Sequence, residues 1–194
     1  MLNWDDLIKA CTGCKNCSLG NTRTNIVIGR GNPKAQLMFV GEGPGEHEDR
    51  QGMPFVGPAG KLLDLLLEAL FFEPEDYYIA NIVKCRPPGN RVPVDEEAES
   101  CLPFLRNQVA LIRPKIIVCL GATAMKYIVD RNARITQIRG QWIDRKGCFI
   151  MPTFHPAALL RDESKKILMW EDMKKVKEML DNKIKAGGLI VKEG

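Results

Sequence analysis

Three short apolar runs constrain the fold of this chain more than any other feature. QLMFV (36–40), YYIAN (77–81) and KIIVCLG (115–121) each have the length and composition of a buried strand. The segment AGKLLDLLLEAL (59–70) and the stretch that begins at Asp95 show helical periodicity. Strands that alternate with helices predict an α/β fold, which we expect to be a three-layer α/β/α sandwich with a mostly parallel central sheet.

The chain has the length and composition of a single globular domain. Its 194 residues suffice for one full core, with 45% hydrophobic and 27% charged residues and a net charge of +4. We expect one domain over 1–194, in which 1–25 hold an N-terminal helix and the first cysteines and 187–194 form a loose tail. The net charge permits binding to a polyanion but does not require it.

The sequence also predicts a compartment. No apolar run approaches the roughly 20 residues that a bilayer-spanning helix needs. The opening MLNWDDLIKAC lacks the basic and apolar regions of a secretory signal. We expect a cytoplasmic protein without membrane association, and a monomer as the simplest assembly.

Several segments carry local predictions. Residues 41–58 are rich in glycine and proline and are expected to form a loop, and Pro103 is expected to kink or restart the helix around it. ITQIRGQWID (135–144) and GCFIMPTF (147–154) suggest a hairpin or two extended segments. A long amphipathic helix is expected over 164–185.

Four of the seven cysteines suggest a cofactor. In a reducing cytosol, metal ligation is a better interpretation of this odd number than disulfide bonding. The close pair Cys14 and Cys17, together with the distant Cys85 and Cys101, can pin the N-terminal segment onto the domain. Four thiolates fit an all-cysteine iron–sulfur cluster or a tetrahedral zinc ion.

Different roles are expected for the other three cysteines. Cys119 and Cys148 lie in apolar runs and are expected to be small core residues. Cys11 precedes Cys14 by the same spacing that separates Cys14 from Cys17, so Cys11–Cys14 remains open as the ligand pair.

Three polar motifs follow predicted strands. They are GEGPGEHED (41–49), NIVKCRPPGNR (81–91) and HPAALLR (155–161). Ligands of open α/β sheets bind beyond the carboxyl ends of the strands, so these three motifs are expected to meet in one site. This convergence is a stronger signal than any one motif alone.

The first motif combines glycines with carboxylates. Glycines let backbone N–H groups approach a ligand closely, but the GK[ST] of a Walker loop is missing. The crowded carboxylates of Glu42, Glu46, Glu48 and Asp49 are therefore candidates for acid–base or orienting roles, although an acidic surface turn would look similar. Phe55, on the same loop, could stack on a base, while a lone Phe is more often part of the core.

The second and third motifs supply hydrogen-bonding groups. The Asn81 amide offers a donor and an acceptor for one edge of a nucleobase, or caps a turn. His155 could donate a hydrogen bond to a leaving group that acquires negative charge, although a structural histidine is the commoner case. Leu159, Leu160 and Arg161 could supply an apolar wedge and a phosphate contact, or form the first turn of an ordinary helix.

Taken together, these segments resemble the family 4 uracil-DNA glycosylases, the iron–sulfur branch of that superfamily. The resemblance runs from about Cys14 to Arg161 and more loosely into the last helix. It rests on the four-cysteine pattern and on GEGPGEHED, GMPFVGPAG, NIVKCRPPGNR and FHPAALLR. Five such motifs make a specific match.

The resemblance implies a cofactor and an activity. It implies one 4Fe–4S cluster on Cys14, Cys17, Cys85 and Cys101, which resolves the ambiguity over Cys11 because the family pattern CxxC-xL matches from Cys14 onward. It implies an enzyme that flips uracil out of single- or double-stranded DNA and hydrolyses its N-glycosidic bond, leaving an abasic site. Downstream base-excision-repair proteins are the expected partners.

The resemblance also implies roles for single residues. Phe55 would stack on uracil, Asn81 would read its pairing edge, and His155 would stabilise the departing anion. Glu48 would lie beside the 5-position of the ring and reject the methyl group of thymine. The remaining expected contacts are pocket lining by Glu42, Gly43 and Pro44, and DNA contacts by Leu159, Leu160, Arg161, Lys84, Arg86 and Arg91.

One departure from the wider superfamily leaves the identity of the general base open. The best-known branch has GQDPYH, with an aspartate that orients the attacking water, where this chain has Gly43. Glu42 and Glu48 are the candidates for a general base. Stabilisation of the leaving anion could also carry most of the rate without one.

Three alternatives remain at the level of sequence. The first is a zinc-stabilised nucleic-acid-binding module without catalysis, which would be colourless where an iron–sulfur protein is brown. The second is an electron-transfer protein, whose compact cysteine runs the wide spacing here does not match. The third is a glycosylase that acts on another damaged base.

Overall fold

The computed structural model describes residues 2–185, and the predicted tail over 187–194 lies outside them. The strands are β1 (Arg30–Gly31), β2 (Leu37–Gly41), β3 (Tyr77–Asn81), β4 (Ile116–Leu120), β5 (Ile143–Arg145) and β6 (Cys148–Thr153). The α-helices are α1 (Trp4–Thr12), α2 (Glu46–Gln51), α3 (Pro58–Ala69), α4 (Asp95–Ile112), α5 (Ala122–Ile128), α6 (Ile135–Ile138), α7 (Pro156–Leu159) and α8 (Ser164–Met179). Short 3-10 helices span Ser18–Asn21, Pro74–Asp76 and Pro88–Asn90, and a π-helix spans Leu180–Lys185.

The six strands form one sheet in the order β1-β3-β2-β4-β6-β5. The four inner strands are parallel, and the edge strands β1 and β5 pair antiparallel. Gly41 at the end of β2 pairs with Asn81 at the end of β3, and β4 and β6 end at the same edge of the sheet. The predicted mostly parallel sheet is confirmed.

Helices cover both faces of the sheet. Every residue of β2 and β4 is buried, as expected of central strands covered on both sides. Along β2, Met38 and Val40 pack in one core cluster with Leu105 of α4, while Leu37 and Phe39 pack in the other. The second cluster contains apolar residues of α3 and α8. This is the three-layer α/β/α sandwich that the sequence predicts.

Three local predictions need correction. Residues 41–58 are not all loop, because α2 forms there: Glu48 accepts a hydrogen bond from Gly45 N–H at its start, and Gly52, with φ of 70°, ends it. Pro103 does not interrupt α4, which runs continuously around it. Residues 135–138 form α6 rather than an extended segment, whereas β5 and β6 form the expected hairpin.

None of the helices within residues 2–185 is both long enough and apolar enough to cross a membrane.

Candidate active site

A cavity of about 350 Å³ opens at the carboxyl edge of the sheet. It has the size of a small-molecule site. Its walls come from the loop after β2, from α2, from the start of α3, from the end of β3 and from His155 after β6. All three sequence motifs therefore meet there, as predicted. The lining residues are Glu42, Gly43, Pro44, Gly45, Glu46, His47, Glu48, Phe55, Gly57, Pro58, Ala59, Gly60, Asn81, Pro87, Asn90, Arg91, His155 and Ala157.

Asn81 presents an unsatisfied acceptor in this cavity. The residue is 2% exposed, and its Oδ1 accepts no hydrogen bond from any residue of the described part of the chain. A buried polar atom without a partner costs about 1–3 kcal/mol, so such an atom in a native site is a sign of a ligand. The side chain is held closely, because a Cβ at Gly41 would lie 2.5 Å from Oδ1. This cavity therefore holds an acceptor placed for a ligand donor.

Phe55 forms an aromatic wall beside Asn81. Its backbone is left-handed, with φ of 55°, and its ring stacks on His155 with centroids 5.6 Å apart and planes 29° apart. Gly60 permits α3 to pass directly over the Phe55 backbone, because a Cβ there would lie 2.0 Å from the Phe55 carbonyl oxygen. Such close packing fixes a conformation that phenylalanine rarely adopts.

His155 is held as a neutral donor. Its Nδ1 accepts a hydrogen bond from Ala157 N–H at 3.1 Å, which places the proton of the neutral ring on Nε2. Burial, and to a lesser extent the charge of Arg161, lowers the pKa of His155 to about 4, against a small opposing effect of Glu48. Gly121, with φ of 93°, leaves room for the ring, since a Cβ would lie 2.9 Å from the His155 Cβ.

Glu42 has a fixing partner that the sequence analysis missed. Its Oε2 accepts a hydrogen bond from the hydroxyl of Thr123, which lies in the first turn of α5 and is 8% exposed. Glu42 directly follows β2, and Thr123 lies shortly after the end of β4 at the same edge of the sheet, so the position after a strand end was the signal that could have revealed it. The contact leaves Glu42 Oε1 available to the cavity.

Glu48 is engaged by the backbone around it. Its Oε1 accepts hydrogen bonds from Val56 N–H at 2.9 Å and Gly57 N–H at 2.7 Å, and its Oε2 accepts one from Gly45 N–H at 3.1 Å. The carboxylate thereby joins α2 to the segment that carries Phe55. Both oxygens serve this joint, which favours a positioning role over proton transfer.

Glu48→Gln is expected to lower the free energy of unfolding by about 1–3 kcal/mol, because the amide nitrogen would face backbone donors. Chemical denaturation measures the change. Glu46→Gln on the same helix is the matched control, since Glu46 pairs with the exposed Arg50 and such pairs contribute about 0–1 kcal/mol. Equal losses in the free energy of unfolding for the two variants would contradict the role of Glu48 in joining α2 to the segment that carries Phe55.

Gly43 is the residue that the sequence resemblance matches to the aspartate of GQDPYH. A Cβ at Gly43 would lie 2.6 Å from Val83 Cγ2, so a side chain fits only if Val83 moves. Pro44 completes this wall of the cavity. The packing thus excludes an aspartate from this position without rearrangement.

The candidate DNA-contacting residues of the third motif differ in their exposure to solvent. Leu160 is 53% exposed, and Arg161 is exposed with its Nε donating to Ala157 O at 3.3 Å. Leu159 is 3% exposed and packs in the core cluster that includes α3 and α8, so in this structure it is a core residue, and its contact with DNA stays a prediction. Leu160 and Arg161 remain available at the surface next to His155.

The basic residues of the second motif also differ in their exposure to solvent. Arg86 Nε donates to Asn90 Oδ1 at 2.7 Å, and Arg91 is 42% exposed and forms a two-pronged pair with Glu97. The Arg91 guanidinium holds the pKa of Glu97 at about 2. Lys84 is 1% exposed, so the prediction that it contacts phosphate is wrong. Its ammonium instead bonds to groups inside the protein.

The four cysteines expected as ligands line a second, smaller cavity. It is enclosed by Cys14, Asn16, Cys17, Gly20, Arg23, Ile26, Lys84, Cys85, Ser100, Cys101 and Phe104. Arg23 Nη1 donates to Cys85 Sγ at 3.1 Å, and the backbone N–H of Lys84 donates to Cys101 Sγ at 3.3 Å. Burial raises the pKa of the Cys85 and Cys101 thiols, and these two hydrogen bonds oppose that effect.

The sulfurs of Cys14, Cys17, Cys85 and Cys101 line this cavity together. Among residues 2–182, no three His, Cys, Asp or Glu side chains are gathered closely enough to hold a single metal ion. A 4Fe–4S cluster is held by four cysteine thiolates around its periphery, and the residues present fit that donor set. Cys11 is fully buried and does not line the cavity.

Comparisons with known proteins agree with this geometry. The family model described as Uracil DNA glycosylase superfamily matches residues 28–179. A type-4 uracil-DNA glycosylase of Thermotoga maritima is 48% identical over 177 residues, which cover 89% of this chain and 91% of that protein. Proteins of the same name from Sulfurisphaera tokodaii and Archaeoglobus fulgidus are 46% and 40% identical, over 86% and 94% of this chain and 80% and 96% of their own lengths.

The structure is that of an α/β/α protein with a cavity at the carboxyl edge of its sheet, in which an unsatisfied amide oxygen lies beside an aromatic ring. The chain belongs to the uracil-DNA glycosylase superfamily, in its type-4 family.

Proposed function

We propose that this protein removes uracil from DNA by hydrolysing the N-glycosidic bond, leaving an abasic site for base excision repair. The observation that carries the proposal is the unsatisfied Asn81 Oδ1, buried beside Phe55 and His155 in one cavity. The relatives named above are uracil-DNA glycosylases by name. A base flipped from the helix would fill such a cavity and supply the missing donor.

Asn81 distinguishes uracil from cytosine by the sense of its hydrogen bonds. Uracil presents an N3–H donor next to the O4 acceptor, which matches the Oδ1 acceptor and the Nδ2 donor of the amide. Cytosine presents an acceptor at N3 and a donor at N4, so both contacts would be reversed. The Phe55 ring stacks on the base and adds affinity without discrimination.

Glu48 excludes thymine by its fixed position. Three backbone N–H groups hold its carboxylate at the cavity wall between α2 and Phe55. A side chain held in this way cannot swing aside for the 5-methyl group of thymine. The exclusion is therefore steric and depends on the same joint that positions Phe55.

His155 and Glu42 act on the bond that breaks. The neutral His155 donates its Nε2–H to the uracil oxygen that gains negative charge as the base departs. Glu42, oriented by Thr123, holds the water that adds to the sugar, and its free Oε1 accepts the proton of that water. Most of the barrier reduction comes from the stabilised anion, because the sugar develops positive charge before water adds.

The DNA backbone is gripped around the cavity mouth. Leu160 enters the space that the flipped nucleotide leaves, and Arg161, Arg86 and Arg91 contact phosphates on either side. Arg91 lines the cavity, Leu160 and Arg161 follow the cavity residue His155 along the chain, and the net charge of +4 favours association with a polyanion.

We also infer one 4Fe–4S cluster, held by Cys14, Cys17, Cys85 and Cys101. The cluster supplies structural cross-linking between the N-terminal segment, the loop after β3 and α4. The loop after β3 begins at Asn81 and carries Arg86 and Arg91 further along. A cluster bound to this loop would therefore stabilise residues that are proposed to contact the substrate.

Cys85→Ser is expected to remove the broad absorption near about 400 nm and to lower the melting temperature strongly, because the cross-link between three segments is lost. Absorption and calorimetry on the purified protein measure both effects. Cys148→Ser is the matched control, since Cys148 is partly buried in β6 and does not line the cluster cavity. Normal stability of Cys85→Ser would overturn the structural role.

The protein is proposed to act as a cytoplasmic monomer, formed by one domain over the whole chain. All seven cysteines are free of disulfides, which suits a reducing compartment. Uracil-containing DNA is the proposed partner, and downstream repair proteins would receive the abasic product.

The proposed function is tested with a labelled oligonucleotide that contains one uracil. Incubation with the purified protein, followed by alkali, should cut the strand at that position and leave a thymine control intact. Protein that carries an intact cluster but yields no cut at uracil would overturn the proposal and favour a binding module or another damaged base.

A further inference from the structure

Lys84 is a fully buried cation for which the reaction described above has no use. It is 1% exposed, although it lies in the basic stretch that follows β3. Its Nζ donates to the backbone oxygen of Asn81 at 2.8 Å and to Gln108 Oε1 at 2.6 Å. A buried ammonium is expensive to desolvate, so its retention beside a site residue calls for a role.

The other partner of Lys84 is itself fixed. Gln108, in α4, is 0% exposed and donates through Nε2 to Ile28 O at 2.9 Å and to Tyr78 Oη at 3.4 Å. The Lys84 ammonium is therefore tied on one side to an anchored amide. On the other side it holds the peptide oxygen of Asn81, whose side chain faces the cavity.

Lys84 also contacts the cluster cavity. Its backbone N–H donates to Cys101 Sγ at 3.3 Å, and the next residue is Cys85. One residue thus contacts the peptide of Asn81 through its side chain and a cluster cysteine through its backbone. Between Asn81 and Lys84, the N–H groups of Ile82 and Val83 donate to Gly41 O and Glu42 O of the first cavity loop.

We propose that Lys84 is a positioning residue that fixes the peptide, and through it the amide plane, of Asn81 against the frame of α4 and the cluster cavity. The inference rests on the proposed function, because it concerns the residue that reads uracil. Without the ammonium, the Asn81 peptide loses its bond at the end of β3 and the side-chain amide is free to tilt.

The expected effect falls on the chemical step rather than on DNA binding. A displacement of a reading group by about 1 Å can cost about 100-fold in rate, whereas phosphate contacts elsewhere set the affinity for DNA. Lys84→Met keeps most of the length of the side chain and removes the donor together with its charge. We expect its single-turnover rate of uracil release to fall by about 10- to 100-fold with an unchanged Kd for DNA.

Gln108→Met is the matched control. It removes the other partner of the same buried ammonium and destabilises the same network, but it leaves the Lys84–Asn81 bond in place. Melting temperature and cluster absorption are measured for both variants, and we expect similar losses of stability. Gln108→Met should lose less of its rate than Lys84→Met, because Lys84 still donates to Asn81 O and stays joined to α4 through its backbone N–H bond to Cys101 Sγ. An equal loss of rate in both variants would overturn the positioning role. Lys84→Gln carries the same expectation if Lys84→Met is insoluble.

A double-mutant cycle with Asn81→Ala separates this inference from the proposed function. If Lys84 acts through Asn81, Lys84→Met should cause little further loss of rate in the Asn81→Ala background. Two results would overturn the inference without affecting the proposed function. The first is an equally large loss of rate from Lys84→Met in the Asn81→Ala background, and the second is a normal rate for Lys84→Met when Asn81→Ala is impaired. A wild-type protein that releases no uracil would instead overturn the proposed function.

Discussion

Asn81→Ala is expected to lower the single-turnover rate of uracil release by about 100- to 1000-fold, the range seen when one polar group that stabilises a transition state is removed. The substitution deletes both the Oδ1 acceptor that is unsatisfied in the free protein and the Nδ2 donor. It leaves the phosphate contacts untouched, so the Kd for DNA should change little. Quenched-flow measurement of abasic product with excess enzyme gives the rate.

The fold should tolerate the Asn81 substitution, because the Oδ1 atom accepts no hydrogen bond from the described residues that could be lost. Asn107→Ala provides the control: Asn107 lies on α4 and its side chain bonds to the backbone of Leu2, away from the cavity. Unchanged kinetics of Asn81→Ala, or a loss that Asn107→Ala reproduces, would rule out the proposed reading of the base.

His155→Ala is expected to be the second most damaging substitution, with a loss of about 100-fold or more in the rate of bond cleavage. The reason is the loss of the Nε2–H donor toward the departing base. Binding to an uncleavable uracil analogue should be retained. Equal losses in binding and cleavage would indicate that His155 positions DNA instead.

The pH dependence provides an independent test of the neutral ring. Because burial holds the pKa of His155 at about 4, below the ordinary 6.5, the folded protein takes up this proton less readily than the unfolded chain. Stability should therefore fall as the pH drops from 6.5 toward 4, and His155→Ala should reduce that fall. The wild-type rate should show no titration of His155 near 6.5.

His47→Ala is the control for both His155 experiments. His47 is the only other histidine, lies in α2 and lines the same cavity, whereas the ring that stacks on Phe55 is that of His155. We expect a small effect on rate and no change in the acid sensitivity of folding. A larger loss of rate for His47→Ala than for His155→Ala would indicate that His47, and not His155, stabilises the departing base.

The sequence was sufficient for the strands and for the location of the site. The buried central strands are continuous apolar runs, and their ends fix where Glu42, Asn81 and His155 must meet. The short helix α2 could not be predicted from periodicity, because Asp49 is its only buried residue and its ends are defined by a side-chain cap and by Gly52.

The environment of neighbouring residues was harder to predict. Leu159 and Leu160 are adjacent and alike, and α7 is too short to show which of them faces the core. Lys84 and Arg86 lie in one basic stretch, but only the tertiary contact with Gln108 buries the lysine. The pairing of Thr123 with Glu42 likewise depends on β2 and β4 being neighbours, which no local pattern specifies.

The most direct test of the central claim is the identification of the released product. The protein is incubated with an oligonucleotide that contains one uracil, and free base and abasic sites are quantified together before any alkali is added. We predict one free uracil for each abasic site, an intact phosphodiester backbone, and no base release from matched thymine or cytosine strands. Strand cleavage without free uracil, or equal release of thymine, would contradict the assignment of this cavity to uracil excision.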